Sequence, residues 1–417
     1  MEEINSYIDR AKNTNIAWFY FKAKSIVQRY NDQDQHIINL LAADIVLSHF
    51  QDLFSTIHYV NVVGPNEAGK SSIGYTFEYT GYRVVKATSI SAPNYYRTLG
   101  TIEPGQCTII EDEADNIEED SDKMRILKSG YEYNAKVPKI NMNTSDQRQN
   151  WFYAYSFKII IAENSLDPDK AKGLLERTLI CHCKPSNVDR EYTIKDVVSN
   201  SYLGNSTKQQ LRNELTDFRK LMLCYRLVHY RDPPISDNNH IGSLRNRDKE
   251  LCGPLVQLFE GTEALPEIIS ALDHFLDQRK ERKANSIEAA LYPLIIDLIE
   301  EEQIYESSQG VIWKLIVGGK YIKGRYDPKK PDQYQTEEYG TLYRNKIGRK
   351  ILDTFGSGTK RKNNGTIIIF SKEKLRRFEN TYSDILHEKN VPEQQSEGSV
   401  GSEGSRVCGF IIEEIQE

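Results

Sequence analysis

Residues 64–71 read Gly-Pro-Asn-Glu-Ala-Gly-Lys-Ser: a glycine, four residues, then glycine, lysine and serine. Each type suits one task in holding a polyphosphate. Glycines let successive backbone N–H groups turn inward around anionic oxygens. Lys70 brings a compact positive charge to the outer phosphates, and the Ser71 hydroxyl is a ligand for Mg2+. IHYVNVVG, just before, reads as a short apolar strand, and SSIGYTFEYTG, just after, as a helix ended by Gly81. The positive end of that helix would face the same anion. Gly64, Pro65, Asn66, Glu67, Ala68, Gly69, Lys70, Ser71 and Ser72 are therefore expected to bind ATP.

Residues 108–113, TIIEDE, form a second constellation, an apolar strand ending in carboxylates. Asp112 is expected to hold Mg2+ through water and Glu113 to polarise an attacking water. Phosphoryl transfer needs this positioning and charge neutralisation more than covalent chemistry. Glu111 is an alternative one position earlier. A solvated acidic face is the plainer reading, since Asp115, Glu118, Glu119, Asp120 and Asp122 follow. The strand leading into Asp112 favours the metal role.

Elements able to position these residues are legible. RVVKATSI, CTIIED, FKIIIAEN and RTLICHCKP read as further strands, alternating with helices. That alternation predicts an α/β fold, a parallel sheet covered by helices on both faces. Residues 1–56 read as a helical segment, 57–206 as the P-loop core and 207–285 as a helical lid interrupted at RDPPISDNN. Residues 286–387 read as a separate module, and 388–417 as a polar, Gly/Ser-rich tail expected to be disordered. Cys181-His182-Cys183 lies on a strand with no second ligand pair, so core packing is favoured over metal binding. The scattered cysteines, an acidic polar N-terminus and the lack of an apolar run near the roughly 18 residues a membrane span needs imply a reducing cytoplasm and no membrane.

The chain of 417 residues carries a net charge of −6, unevenly spread. Residues 319–377 hold sixteen Lys/Arg against six Asp/Glu, a local net of +10, which leaves −16 elsewhere. A basic module on an acidic body is one pattern of a nucleic-acid binder. SIEAALYPLIIDLIEEE, QGVIWKLIVGG and TEEYGTLYRNKIGRKILDTFG read as three helices, followed by GTKRKNNGTIIIF as a turn and a strand. That order is expected of a winged helix-turn-helix. Arg344, Lys346, Arg349 and Lys350 would lie on the groove-entering helix, and Lys360, Arg361 and Lys362 would touch the DNA backbone. A protein-docking winged helix is the rival.

GPNEAGKSS is similar to the loop of SMC and RecF-type ATPases, but no LSGG-like segment or heptad run accompanies it. The spacing of 41 residues between Lys70 and Glu111 resembles AAA+ ATPases instead. That resemblance implies that Asn164, after the fourth strand, senses the γ-phosphate. It also implies that Arg177, before the fifth, is an arginine finger reaching a neighbouring subunit's site. ILKSGYEYNAKVPKIN, LLERT and SLRNRDKELCGPLVQLF, in that order, resemble the ATPase domain of phage, plasmid and mobile-element helicases and primase–helicases, over roughly residues 20–275. MCM-type helicases share the general plan. Two departures are the lack of an N-terminal primase domain and of a zinc motif. The resemblance implies a lid helix carrying a second sensor arginine at the nucleotide, Arg247 first and Arg245 next. It also implies a hairpin over GYEYNAKVPKINMNTSDQRQNW, on which Lys136, Lys139 and Arg148 would follow phosphates among Tyr131, Tyr133 and Trp151. The expected protein is an ATP- and Mg2+-dependent helicase or translocase acting on single-stranded or forked DNA as a homo-oligomeric ring, such as a hexamer. The alternatives are an ATP-dependent DNA-binding initiator or switch, and a RecF/SMC-like repair ATPase.

Overall fold

The computed structural model describes residues 2–140, 149–185, 191–199, 203–236, 246–303, 305–362 and 365–389. The tail beyond residue 389 and Arg148 and Arg245 lie outside them. The chain divides into two compact units, residues 1–279 and 280–417.

In the first unit, helices α1 (Glu2–Lys12), α2 (Ile16–Tyr30) and α3 (Gln35–Ser48) precede strand β1 (Tyr59–Val63). Then come α4 (Lys70–Thr80), β2 (Val84–Thr88), α5 (Ala92–Leu99), β3 (Thr108–Asp112), α6 (Ser121–Ser129) and a hairpin of β4 (Lys136–Ile140) and β5 (Gln149–Tyr153). β6 (Phe157–Ala162), α7 (Pro168–Leu175), β7 (Thr178–His182), α8 (Ile194–Val198), α9 (Ser206–Val228), α10 (Asn246–Phe259) and α11 (Leu265–Ala284) complete it.

The five main strands form one parallel sheet in the order β2-β3-β6-β1-β7. Every residue of β1 is buried, as the apolar run YVNVV requires of a strand covered on both faces. Side-chain alternation divides the core. Val60 and Val62 join the larger cluster with α2, α3, α4 and α9, while Tyr59 joins the cluster with α5, α6 and α7. Helix α3 is buried over nearly its whole circumference, which suits a helix apolar all round. Asn15, Asp34 and Asn205 accept backbone N–H groups at the starts of α2, α3 and α9, satisfying donors that a helix leaves open. Cys181 and Cys183 are buried, and no helix among the described residues is long and apolar enough to cross a membrane.

The N-terminal helices are tied to the rest by buried polar links. Arg226 of α9 donates to both carboxylate oxygens of Asp52, at 2.8 and 2.7 Å, and to the carbonyl of His49. The His49 ring nitrogen Nε2 lies 3.0 Å from the Thr80 carbonyl. Burial, opposed by that carbonyl and aided by the Arg226 charge, pushes the His49 imidazole down to about 3.

The second unit contains α12 (Ile287–Glu302), β8 (Glu306–Ser308), α13 (Gln309–Val317), β9 (Gly324–Tyr326), β10 (Gln333–Thr336), β11 (Gly340–Tyr343), α14 (Arg344–Phe355), β12 (Gly356–Lys362), β13 (Gly365–Phe370) and α15 (Lys372–Lys389). Its core gathers Leu291, Ile295, Ile316, Ile351 and Phe355. A small antiparallel sheet runs β12-β13-β8 and another β11-β10-β9.

Two sequence readings are corrected here. The third helix does not start at Thr336 but at Arg344, because residues 333–343 form a hairpin. Gly340 adopts φ +64°, Thr336 Oγ1 accepts from the Tyr339 N–H at 2.9 Å, and Tyr334 is buried with its hydroxyl donating to the Ile322 carbonyl at 3.0 Å. Turn chemistry and aromatic burial outweigh helical spacing there. GTKRK, read as a turn, is instead part of strand β12 against β13, with Thr359 opposite Ile368.

The unfolded chain binds a proton at His49 from about pH 6.5 downward, and the folded one only near pH 3. Its contribution to stability is complete above about pH 6.5 and is lost as pH falls from there towards 3. Resistance to urea unfolding should therefore weaken with acid in this window, and His49→Gln should flatten that slope by up to about 1.4 kcal/mol per pH unit. An unchanged slope in the variant would exclude His49 as the group responsible.

Candidate functional site

The loop of residues 64–69 leaves the carboxyl end of β1 and feeds α4. Its path demands glycine at two points. A Cβ on Gly64 would come 2.5 Å from the Cys183 carbonyl oxygen, and Gly69 has φ +78°. Glu67 also adopts a left-handed φ, +67°. Pro65, Asn66 and Glu67 are exposed, whereas Ala68 is buried and anchors the loop. The Lys70 ammonium donates to the carbonyls of Gly64 and, at 2.7 Å, Pro65. Ser71 is the second residue of α4, and the Ser72 hydroxyl donates to the Tyr30 carbonyl at 2.8 Å.

One loop partner was missed in the sequence. Gln33, between α2 and α3, donates to the Ala68 carbonyl at 2.9 Å and accepts from the Lys184 N–H at 3.1 Å. A single amide thus joins the loop to the chain leaving β7. Nothing in the motif pattern signals it, because the link is made by folding.

The acidic strand resolves by alternation. Glu111 is fully buried, pairing with Lys123 at 2.6 Å and accepting from the Tyr95 hydroxyl at 2.7 Å. It is committed to the core, which removes it as the alternative metal carboxylate. Asp112 points to the other face, that of α4, where its Oδ2 lies 3.2 Å from Lys86 Nζ. Glu113 is exposed and takes φ +53°, a conformation costing about 1 kcal/mol for a residue with a side chain. Its N–H donates to Asp112 Oδ1 at 3.2 Å and its carbonyl accepts from the Ser89 hydroxyl at 3.1 Å.

Register brings these groups to one end of the sheet. Val63 is level with Ala162, so Asn164 follows β6 at the height of the loop. The N–H groups of Glu163 and Asn164 both donate to Asp115 Oδ1, at 3.1 and 3.3 Å. Asp115, part of the run that reads as a solvated face, therefore locks the turn bearing Asn164. β6 lies between β1 and β3, so the loop and the carboxylates stand two strand spacings apart, roughly 10 Å, across the end of the β6 strand. The donor set suits a hydrated Mg2+ with a polyphosphate: a hydroxyl at Ser71, a carboxylate at Asp112, a lysine and a turn with left-handed φ values.

Arg177 stands at the opposite end. It precedes β7, whose Thr178 pairs with Tyr59, the first residue of β1. The loop of residues 64–69 is about 15 Å further along that strand. The Arg177 guanidinium lies 4.4 Å from the centroid of the Tyr131 ring and donates to the Gly173 carbonyl. Arg247 lies over the same ring at 4.9 Å and pairs with Glu250 at 2.5 Å. Arg247, expected at the nucleotide, thus has Tyr131 and Glu250 as its partners. Helix α10 begins beside the start of β1, where the Thr56 hydroxyl donates to the Glu250 carbonyl at 2.9 Å and His58 Nδ1 lies 3.2 Å from the Leu251 carbonyl. The buried Arg279 joins this end, pairing with Asp248 at 2.5 Å and Glu176 at 3.2 Å.

Two of the expected base-stacking aromatics are used elsewhere. Tyr131 serves the arginines, and Tyr133 packs on Tyr155 at 5.3 Å. The hairpin's inner face holds Val137 and Phe152, the latter 5.2 Å from Tyr96. Its other face carries Lys136 over Tyr153 at 4.9 Å and, opposite Pro138, a Trp151 that is 58% exposed. The Lys139 side chain lies outside the described residues.

In the second unit the basic residues divide into two groups. Lys346 and Arg349 are exposed on α14, the latter with Asp353 at 4.0 Å, and Arg361 is exposed on β12. Arg344 pairs with Asp332 at 3.6 Å, Lys350 with Glu288 at 3.7 Å and Lys360 with Glu306 at 3.5 Å. The Lys362 side chain is outside the described residues.

Gln33→Ala removes a loop support without touching the motif. It should weaken binding of an ATP analogue by roughly tenfold, as the loss of one or two hydrogen bonds would, with little change in melting temperature. Equal affinity in a titration would show that the loop holds its shape alone.

No protein-family model and no curated protein matches the sequence. Similar solved structures include the SCCmec type IV Cch active helicase, at 11% identity over 86% of this chain and 65% of that one, TM-score 0.36. The NrS-1 C-terminal region is 13% identical over 84% and 75%, TM-score 0.35. A JCV helicase is 12% identical over 66% of each chain, TM-score 0.28, so this chain spans slightly less than two thirds of that helicase. Likenesses with TM-scores this low carry no argument about this chain.

Proposed function

We propose that this chain is an ATP-hydrolysing motor of the AAA+ type acting on DNA, a helicase or translocase working as a ring. The observation that carries the reading is the gathering of the Lys70 loop, Asp112, Glu113 and Asn164 at the carboxyl ends of β1, β3 and β6. Ligands of open α/β sheets bind at such ends.

In this reading the loop N–H groups and Lys70 hold the triphosphate, Lys70 leaving the carbonyls of Gly64 and Pro65 to do so. Ser71 and, through water, Asp112 hold Mg2+, which when bound supplies neutralisation of phosphate charge. Glu113, in its constrained backbone, accepts the proton of the attacking water as that oxygen bonds to the γ-phosphorus and the bond to the β–γ bridging oxygen breaks. Asn164, held by Asp115, orients the γ-phosphate or that water. Arg177 serves the site of a neighbouring subunit, since its own loop is at the far end of the strands. A permanently charged planar fork suits that role. Trp151 and Lys136 on the hairpin, with Lys346, Arg349 and Arg361 on a module read as a winged helix, are the DNA-facing groups.

ATP hydrolysis measured with and without single-stranded and forked DNA, at several salt concentrations, tests the reading. Strong stimulation that declines with salt is expected, and Lys70→Ala should abolish turnover. Hydrolysis indifferent to DNA would favour an assembly switch, with the basic module as a protein-docking surface.

Arg177→Ala should lose hydrolysis while keeping nucleotide affinity. Mixed with Glu113→Gln subunits it should regain part of the activity, because some interfaces then pair an intact Glu113 with an intact Arg177. Absence of any recovery across mixing ratios would remove the role in trans.

A further inference from the structure

Lys86 has been given no role in the proposed chemistry, yet its ammonium is built into the site. Lys86 Nζ lies 3.2 Å from Asp112 Oδ2, and the two side chains are only 13% and 16% exposed. The same ammonium lies 4.2 Å from the centroid of the Tyr75 ring on α4, within the range of a cation–π attraction. Its aliphatic stem runs against α4 where Gly74 leaves room. A Cβ at Gly74 would come 3.2 Å from Lys86 Cε and 2.9 Å from Ile161 Cδ1. Glycine inside a helix costs about 1 kcal/mol relative to alanine, and here it opens the lane in which Lys86 lies. Glu78, one turn beyond Tyr75, is a second carboxylate near this ammonium. Burial pushes its carboxyl up, while Lys86 and Arg219 oppose that.

A lysine paired with a candidate metal carboxylate occupies the place of a cation. Ammonium and hydrated Mg2+ compete for the same oxygens, and a partly buried pair is screened less by salt than an exposed one. We propose that Lys86 is an internal counter-ion that holds Asp112 when no divalent cation does and is displaced towards Glu78 as Mg2+–nucleotide binds. Lys86 thereby sets the Mg2+ concentration at which the site fills. The inference rests on the reading of Asp112 given under Proposed function.

The test is binding of a fluorescent non-hydrolysable ATP analogue, followed by anisotropy as Mg2+ is titrated into the full chain. Lys86→Met keeps the stem and removes the charge, and should lower the Mg2+ midpoint roughly tenfold, as loss of one charge-assisted contact would. Lys195→Met is the control for charge alone. Lys195 Nζ lies 5.1 Å from the same Tyr75 ring, and its removal should leave the midpoint within about twofold. Lys86→Arg should keep the midpoint high. A Lys86→Met midpoint that is unchanged or raised overturns the proposal, as does an equal fall in both methionine variants. Should Lys86→Met fail to fold, Lys86→Gln reads the same quantity. Wild-type binding that needs no Mg2+ would sink the metal role of Asp112 itself, a failure separable from that of Lys86.

Discussion

The insertion of β6 between β1 and β3 is the constraint on which the rest depends. Parallel pairing of Val60–Val63 with Ile159–Ala162, and of Thr108–Glu111 with Phe157–Ile160, fixes the relative height of three strand ends. The loop, the carboxylates and Asn164 then share one edge, with a gap between loop and carboxylates wide enough for a phosphate chain and a hydrated cation. Parallel strands need crossovers of a dozen or more residues, so this arrangement also dictates the helices that cover both faces. A one-residue slip of β3 would turn Asp112 into the core and Glu111 towards α4. Lys123 and Tyr95, bonded to Glu111, oppose that slip.

A second regularity is that cations are paired within the chain. Lys70 lies on its own loop carbonyls, Lys86 on Asp112, and Arg177 and Arg247 both against the Tyr131 ring. An unpaired charge near the low-dielectric core is costly, so these partners stabilise the fold. They must also be given up if the same groups are to act on a ligand. Binding at such a site is an exchange of partners, and its free energy is the difference between two sets of similar interactions.

The second unit repeats this in its own way. Its positive charge is large, but Arg344, Lys350 and Lys360 have acidic neighbours. The pairs of Arg344 and Lys360 are exposed and weak, each contributing about 0–1 kcal/mol, whereas that of Lys350 with Glu288 is largely buried. They orient side chains, while Lys346 and Arg349, the latter beside Asp353, are the exposed charges of α14.

The sequence by itself determined the glycine-rich loop between strand and helix, the acidic strand, the five parallel strands and the basic character of residues 319–377. These are local signals: residue types at fixed spacing, apolar runs of strand length and counted charge. It could not separate Glu111 from Asp112, because alternation assigns them to opposite faces without saying which face carries the loop. Only the tertiary structure decided that, by pairing Glu111 with Lys123 and Tyr95. It also gave Arg247 its partners, since the position of α10 depends on Thr56 and His58, nearly two hundred residues earlier. Gln33, Asp115 and Lys86 were invisible for the same reason. Their roles rest on hydrogen bonds and ion pairs between distant segments, which no spacing along the chain records.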